Sequence, residues 1–385
     1  MLKNYKFRMY PNKKQEIKLL EILELCRFTY NKQLELKINQ YKENKINLSY
    51  FDLNHHLLQL KEEYSTLKKI HSQVLQNINR RINFTFNGFY KRIKKGETPG
   101  FPRFKSKHRY DSFTYPQSGF KLNKQMLYLS KISNLNIIKH REIEGKIKTI
   151  TIKKTSTNKW FTCFSIEQKE KKNNVQTQEN KVIGIDVGLH HFYANSEGKF
   201  VDNPRYLRKS ELKLKRQQRK LSRKVKGSEN RKKQQLKVAR IHEKVQNQRK
   251  DFLHKESRKI INNYSMIVIE KLQIKNMTKN HYLAKSIHDA SWKKFFQFLS
   301  YKAEDADGKV IEINPRKTSQ ACICGNKVEK TLAIRVHRCI QCGIEIDRDV
   351  MSAMIIKERA FKKIKIGTVG TTEIQACKRT SVEVQ

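Results

Sequence analysis

The sequence predicts a multidomain α+β chain whose C-terminal half is an α/β domain, and three patterns support this prediction. Apolar residues recur at helical spacing from Lys13 to about Lys95. Short segments of alternating apolar and polar residues follow between residues 113 and 167. From residue 182 onward, apolar strand-like runs alternate with helical stretches, as is typical of α/β folds. At 385 residues the chain can hold two or three domains.

The N-terminal half is expected to be a small β-barrel with a helical insert. The opening segment YKFRMY alternates as a strand, and its partners are QMLYLS, LNIIKH, KIKTITIK and KWFTCFSIE. We assign residues 1–12 and 98–170 to the barrel and 13–97 to the insert. Residues 94–115 are basic, aromatic and turn-rich, which suits either nucleic-acid contacts or an ordinary surface loop. Residues 171–181 have no apolar anchor and predict a linker.

The C-terminal half opens with the strand VIGIDVG and a hairpin, HHFYANSEGKFV. A strongly basic helical tract covers residues 204–260, and Gly227-Ser228 is expected to split it into a helical hairpin. Its excess of cations favours a surface that follows a nucleic-acid backbone over a solvated coiled coil. The strand SMIVIE, the helix SWKKFFQFLSYKAEDA and the strand KVIEIN complete a domain of residues 182–314.

The charge balance points to a polyanionic partner. The chain has 83 Lys and Arg against 36 Asp and Glu, a formal net charge of +47, which local ion pairs cannot absorb. The chain start has no apolar region of the secretory type, and no run approaches 18 apolar residues, so we expect a cytoplasmic protein. Seven cysteines, four of them clustered, favour a metal site over a disulfide framework.

Three carboxylates in separate segments predict a shared metal site. Asp186 lies inside KVIGIDVG, Glu270 closes MIVIE, and Asp349 lies in DRDVMSAM. A carboxylate in a buried strand is costly unless charge is brought to it, and divalent ions usually supply that charge. In a chain this basic, the chemistry indicated is metal-dependent cleavage of nucleic-acid phosphodiesters.

Each carboxylate taken alone also has a simpler interpretation. Asp186 could form a turn at a strand end, and Glu270 could be a solvated residue that opens the next loop. Asp347 is predicted to cap the helix that contains Asp349. Asp349 then falls in the first turn, on the helix face that also carries Ala353, so it is the better candidate ligand.

The cysteine cluster predicts a structural zinc site. Two knuckles are present, Cys322-Ile-Cys324-Gly and Cys339-Ile-Gln-Cys342-Gly, and four thiolates in a tetrahedral array bind Zn²⁺. The first knuckle is one residue shorter than the usual CxxC, so His337 could replace a cysteine that does not reach. Four buried free cysteines are the alternative.

These segments resemble the TnpB/OrfB family of insertion-sequence proteins, whose characterised members are RNA-guided DNA nucleases related to type V CRISPR effectors. The resemblance covers nearly the whole chain. It rests on YKFRMYP, SQVLQNINRRINFTFNGFY followed by GFPRFK, GIDVG, VIEKLQIKNM, KTSQACICG and CIQCGIEIDRDVMSAMII.

The resemblance implies an RNase H-like RuvC nuclease domain with a zinc-binding insertion (315–345), a last RuvC helix (346–362) and a flexible tail (363–385). A β-barrel with a helical insert precedes it. Mg²⁺ or Mn²⁺ is expected at the catalytic residues Asp186, Glu270 and Asp349. Zn²⁺ is expected at the cysteines Cys322, Cys324, Cys339 and Cys342. The implied partners are a transposon-derived guide RNA and double-stranded target DNA with a short adjacent motif, in a prokaryotic cell.

Two departures from the family pattern concern the third carboxylate. The family has Asn two residues after the last Asp, where this chain has Met351, and a thioether cannot make the hydrogen bonds of an amide. The short first knuckle is the second departure. A guided DNA-binding repressor without cleavage is therefore the alternative function. A strand-transfer transposase lacks support, because the paired His190-His191 would point to opposite sides of a strand. A purely structural RNA-binding protein leaves the three acids unexplained.

Overall fold

The computed structural model describes residues 2–107, 109–168, 181–316, 318–331 and 334–367. The chain divides into two compact units, Met1–Lys171 and Lys172–Gln385. Apart from its last residue, the predicted linker of residues 171–181 lies outside the described residues. None of the described helices is both long enough and apolar enough to cross a membrane.

The first unit contains one antiparallel sheet of seven strands. The strands are β1 (Leu2–Tyr10), β2 (Ser112–Tyr115), β3 (Phe120–Asn123), β4 (Met126–Leu129), β5 (Ser133–Ile138), β6 (Lys146–Lys154) and β7 (Trp160–Glu167). Their order is β2-β6-β7-β1-β5-β4-β3. The first strand of the chain therefore lies in the middle of the sheet, and β2 and β3 lie at its two ends. Alternating residues of β7 are buried, from Trp160 to Ile166, as the period-2 pattern predicts.

Three α-helices of the first unit occupy the predicted helical insert. They are α1 (Lys13–Asn44), α2 (Tyr50–Glu63) and α3 (Ser72–Lys94). Capping boxes begin α1 at Asn12 and α2 at Ser49. Buried leucines and isoleucines of the helices join the buried face of the sheet in one apolar core.

The second unit is built on a five-stranded mixed sheet. Its strands are β8 (Val182–Val187), β9 (His191–Asn195), β10 (Phe200–Asp202), β11 (Met266–Glu270) and β12 (Lys309–Ile313). The order is β10-β9-β8-β11-β12; β8, β11 and β12 are parallel, and β9 is antiparallel to both of its neighbours. The predicted hairpin and both later strands are confirmed.

Helices cover both faces of this sheet. The helices of this unit are α4 (Tyr206–Ser222), α5 (Glu229–Asn263), α6 (Ile274–Met277), α7 (His281–Ala290), α8 (Trp292–Asp305) and α9 (Arg348–Gly367). Ile185 and Ile269 face the core formed with α5, α7 and α8. Val268 faces the opposite way and packs on Ile356 and Ala360 of α9. Residues that point to the α9 face can therefore meet side chains from the start of α9.

The boundaries around α9 differ from those expected from the sequence. Residues 345–347 form a strand, β14 (Glu345–Asp347), which pairs with β13 (Val336–Arg338), so the last helix begins at Arg348 rather than at residue 346. The helix continues to Gly367, so residues 363–367 are helical and do not belong to a flexible tail. The remainder of the expected tail lies outside the described residues.

Candidate acid and metal sites

The register of two parallel strands brings Asp186 and Glu270 together. β8 pairs with β11 so that Ile185 lies opposite Ile269. One residue further along each strand, Asp186 and Glu270 are neighbours at the carboxyl ends of these two parallel strands. Because successive side chains point to opposite faces, both carboxylates lie on the face opposite Ile185 and Ile269, which is the face covered by α9.

Helix α9 supplies the third carboxylate from its first turn. Asp347 accepts hydrogen bonds from the backbone N–H groups of Asp349 (2.8 Å) and Val350 (3.3 Å), which confirms Asp347 as the cap. A Cβ atom built on Gly188, just after β8, would lie 4.0 Å from Asp349 Oδ2. Asp349 therefore lies at the carboxyl end of β8, the strand of Asp186.

The electrostatics show that the three acids share one environment. Burial raises the pKa of Asp186 well above its usual range, and the neighbouring charges of Glu270 and Asp349 raise it further. Burial also raises the pKa of Glu270, against the hydrogen bond from Thr318. Like charges that are buried together favour protonation unless a cation is present.

Two arginines contact Asp349, and sequence reasoning missed both. Arg335 Nη1 lies 3.4 Å from Asp349 Oδ2, and Arg348 Nη2 lies 3.2 Å from Oδ1. Arg348 also acts on Asp186, whose pKa it lowers. The motif DRD, in which Arg348 directly precedes Asp349, was the sequence feature that could have predicted the first of these contacts. Arg335 lies 14 residues away, and no local pattern relates it to the acid.

The chemistry of this donor set suits a hard divalent ion. Asp186, Glu270 and Asp349 offer only oxygen atoms, which Mg²⁺ and Mn²⁺ prefer. The parallel register that places Asp186 beside Glu270, with Asp349 close to the end of the same strand, favours a cation here. In the part of the chain that the structure describes, the one group of three or more candidate ligands close enough to hold a metal ion is a set of four cysteines, so the three carboxylates are less tightly gathered.

Four cysteine sulfurs converge at the second site, as predicted. The candidate ligand atoms of Cys322, Cys324, Cys339 and Cys342 all lie within 4.8 Å of one another. Cys322 Sγ is 3.6 Å from Cys342 Sγ, and Cys324 Sγ is 3.6 Å from Cys339 Sγ. The chain turns back after each knuckle through a glycine with positive φ, Gly325 or Gly343. The short first knuckle therefore does not keep its cysteines from the cluster.

The thiols of this cluster differ in their pKa. Burial raises the pKa of Cys322 to about 12. The backbone N–H of Cys342, together with the Asn326 amide, lowers the pKa of Cys339 to about 6. Asn326 Nδ2 lies 3.8 Å from Cys339 Sγ, so a donor already faces this sulfur. Both the sulfur donors and this neighbour suit a bound metal ion.

His337 does not belong to the ligand group. It is fully buried on β13, and its Nδ1 contacts Lys330 Nζ. Its Nε2 atom has no hydrogen-bond partner in the described part of the chain. Because all four sulfurs converge, no cysteine needs a histidine as a substitute.

Comparison with known proteins assigns the family. The IS605 OrfB family described as "Probable transposase" matches residues 163–281, a "Cas12f1-like, TNB domain" matches 292–356, and an OrfB helix-turn-helix domain matches 1–45. The chain is 30% identical over 373 residues to "Putative RNA-guided DNA endonuclease InsQ" of Escherichia coli K12, covering 91% of this chain and 90% of that protein. The chain belongs to the IS605 OrfB (TnpB) family.

The chain is also similar to a second named protein and to a solved structure. A protein of Streptomyces pristinaespiralis named "Putative RNA-guided DNA endonuclease" is 31% identical over 359 residues, covering 91% of the OrfB chain and 87% of that protein. A solved Cas12f1-sgRNA-target DNA complex matches with a TM-score of 0.36 at 14% identity, covering 94% of the OrfB chain and 100% of that chain.

Met351 of this OrfB protein is buried. It is 1% exposed and packs with Cys322, Cys339 and Ile355 in the small core of the cysteine segment. The residue that departs from the family pattern thus contributes apolar packing between α9 and the cysteine cluster. The effect of Met351 on the orientation of the acid site stays a prediction.

The basic tract of the OrfB chain forms two helices, α4 and α5, separated at Gly227-Ser228. Gln234 Nε2 of α5 donates to Gln217 O of α4 at 3.0 Å, and Leu214 and Val245 are buried apolar residues of these helices. A groove between the helices is lined mainly by cations: Lys213, Lys220, Lys237, Arg240 and Lys244. Such a groove suits a phosphate backbone.

Proposed function

We propose that this OrfB-family protein is a transposon-encoded, RNA-guided, metal-dependent DNA endonuclease that acts in DNA transposition and recombination. The proposal is carried by the parallel register of β8 and β11, which makes Asp186 and Glu270 neighbours at the carboxyl ends of these strands. Asp349 of α9 lies close to the end of β8. Relatives that match over about nine-tenths of the chain carry the name of RNA-guided DNA endonuclease.

The proposed catalytic domain is an RNase H-like RuvC domain that comprises the five-stranded sheet and α9. The seven-stranded sheet of the first unit is proposed to be the β-barrel that precedes it. Asp186, Glu270 and Asp349 would hold Mg²⁺ or Mn²⁺ through their carboxylate oxygens. When bound, the divalent ions supply an activated water and neutralise the charge on the leaving oxygen. Arg348 already contributes one positive charge beside Asp186 and Asp349.

The cysteine segment is proposed to hold a structural Zn²⁺ through Cys322, Cys324, Cys339 and Cys342. The segment of residues 315–345 has too small an apolar core to fold without a stabilising metal ion or cross-link. The proposed polyanionic partners are a transposon-derived guide RNA and a double-stranded target with a short adjacent motif. A net charge of +47 and the cation-lined groove between α4 and α5 support both partners.

The test is to purify the full chain with its bound RNA, sequence that RNA, and incubate the complex with matched DNA and Mg²⁺. We expect cleavage of matched but not scrambled DNA, and loss of cleavage in Asp186→Ala with target binding retained. Asp202→Ala is the matched control, because Asp202 ends a strand of the same sheet but has an exposed side chain. Guide-dependent binding without cuts in the unmodified chain would establish the repressor alternative instead. Absence of any specific RNA would overturn both.

A further inference from the structure

Glu270 is held by a side chain that does not come from the sheet. Thr318 Oγ1 lies 2.5 Å from Glu270 Oε1 and 3.1 Å from the carbonyl oxygen of Pro315. Both neighbours are acceptors, so the single hydroxyl proton of Thr318 goes to the nearer and charged one. Thr318 is 5% exposed, so water competes little for this hydrogen bond.

The backbone on the N-terminal side of Thr318 is anchored to α9. Arg359 Nη1 donates to Asn314 O at 3.2 Å and to Arg316 O at 2.7 Å. Since α9 also carries Asp349, the loop that presents Thr318 and the helix that presents the third carboxylate are tied to each other.

The backbone on the C-terminal side of Thr318 belongs to the first cysteine knuckle. Val328 N donates to Gln320 O at 2.8 Å, and Cys322 N donates to Asn326 O at 2.9 Å. Thr318 is therefore four residues from a cysteine ligand candidate and two residues from the first hydrogen bond of that knuckle. The position of its hydroxyl depends on the fold of the knuckle.

The part of the cysteine segment between the two knuckles reaches a second carboxylate. Arg335 lies just before β13, accepts a hydrogen bond from Arg348 N at its carbonyl (2.7 Å), and contacts Asp349 through its guanidinium. The segment thus contacts Glu270 through Thr318 and Asp349 through Arg335.

We propose that Thr318 is a positioning residue for Glu270, and that it couples the folded cysteine segment to the acid site. The hydroxyl holds one oxygen of the carboxylate, Oε1, in place. The inference rests on the proposed function, because it assigns a supporting residue to the same site. Substitution of a residue that orients a metal ligand typically lowers metal affinity by about 10- to 100-fold.

The experiment compares Thr318→Val, which removes the hydroxyl and keeps the β-branched shape, with Thr318→Ser, which keeps the hydroxyl. Mn²⁺ binding to the full chain, freed of RNA, is measured from the free-Mn²⁺ electron paramagnetic resonance signal, with Asp186→Ala as the reference for the lost site. Zinc content and thermal unfolding in chelator are recorded for each variant. We expect about 10-fold weaker Mn²⁺ binding in Thr318→Val, near-normal binding in Thr318→Ser, and unchanged zinc in both.

A double-mutant cycle with Glu270→Gln separates positioning from general damage. If Thr318 acts through Glu270, Thr318→Val adds little further loss of Mn²⁺ affinity to Glu270→Gln. An equal loss in both backgrounds, or normal Mn²⁺ binding in Thr318→Val, overturns the inference. Matched-DNA cleavage separates the two proposals: if the unmodified chain cuts and Asp186→Ala does not, the proposed function stands whatever Thr318→Val does. If Asp186→Ala binds Mn²⁺ normally, the acid site itself is refuted.

Discussion

Gly184 of β8 lies against the backbone of α9 at Ala353. A Cβ atom on Gly184 would be 2.1 Å from the carbonyl oxygen of Ala353 and 2.9 Å from the amide nitrogen of Lys357. Only glycine permits this approach, because both obstacles are backbone atoms that cannot rotate away. The close packing holds the helix of Asp349 on the strand of Asp186.

Gly184→Ala is accordingly expected to destabilise the second unit by about 1–3 kcal/mol or more, since α9 must move away from the sheet. Chemical denaturation of the full chain, followed by far-UV circular dichroism, measures the change. Gly88→Ala is the matched control: nothing lies within 4 Å of its added Cβ, and it lies inside α3, so a gain of about 0.5–1 kcal/mol is expected. Equal stability of Gly184→Ala and the parent would contradict the tight contact.

Relief of charge repulsion at the acid site should be visible without any activity assay. In chelator, Asp186→Asn is expected to raise the free energy of unfolding by about 1 kcal/mol, because functional sites retain unfavourable charge clusters. The same variant should lose most of the thermal stabilisation that Mn²⁺ gives the parent. Asp202→Asn serves as the exposed control. A variant that is destabilised in chelator and still stabilised by Mn²⁺ would show that the acids do not form one site.

The cysteine cluster predicts a measurable zinc content. Cys339→Ser is expected to lower the zinc-to-protein ratio, measured by plasma mass spectrometry, and to lower the unfolding temperature, because metal binding contributes folding free energy. Cys163→Ser, in β7 of the other unit, is the control and should retain the metal. Unchanged zinc and unchanged stability in Cys339→Ser would count against a zinc role.

A buried lysine makes stability depend on pH. Lys302 is 4% exposed, and its ammonium donates to His254 O and Ser257 Oγ, both at 2.7 Å. Burial, and then the charge of Arg258, lower the pKa of Lys302 from 10.5 to about 8. Between these values the unfolded chain binds more protons than the folded one, so the contribution of Lys302 to stability rises with pH.

Lys302→Met should therefore lack this rise. The free energy of unfolding of the parent relative to the variant is expected to increase between pH 8 and 10.5, by at most about 3 kcal/mol. Lys293→Met, exposed on the same helix, is the control. Urea titrations across this pH window measure it, and parallel pH profiles for parent and Lys302→Met would refute the shifted pKa.

The groove between α4 and α5 predicts a salt-dependent contribution to nucleic-acid binding. Lys237→Gln is expected to weaken binding at all sequences alike and to reduce the slope of log affinity against log salt concentration by about 1. Filter-binding or anisotropy titrations over a salt series provide the slope. Lys309→Gln, exposed at the start of β12, is the control. An unchanged slope in Lys237→Gln would remove this residue from the interface.

Much of the local structure followed from the sequence because it depends on neighbours along the chain. The run MIVIE predicted a strand that ends at Glu270, and the spacing of Asp347 from the helix predicted its role as a cap. The two knuckles predicted four converging sulfurs. Periodicity, capping and short-range metal spacing are all encoded within a few residues.

Contacts between distant segments did not follow. Met351 departs from the family pattern beside Asp349, and only the structure shows that it packs in the core of the cysteine segment. Thr318 lies in the motif KTSQACICG, but nothing in that motif relates it to Glu270, to which it donates across 48 positions. Arg335 likewise reaches Asp349 only because β13 pairs with β14.

The sequence by itself determined the composition of the acid site and of the cysteine site, because residue type sets which chemistry is possible. Only the tertiary structure decided which groups face one another: the parallel register of β8 and β11 aligns Asp186 with Glu270. The absence of a side chain at Gly184 lets α9 bring Asp349 to the same face. Register and packing are set by the free energy of the whole unit, so no local pattern records them.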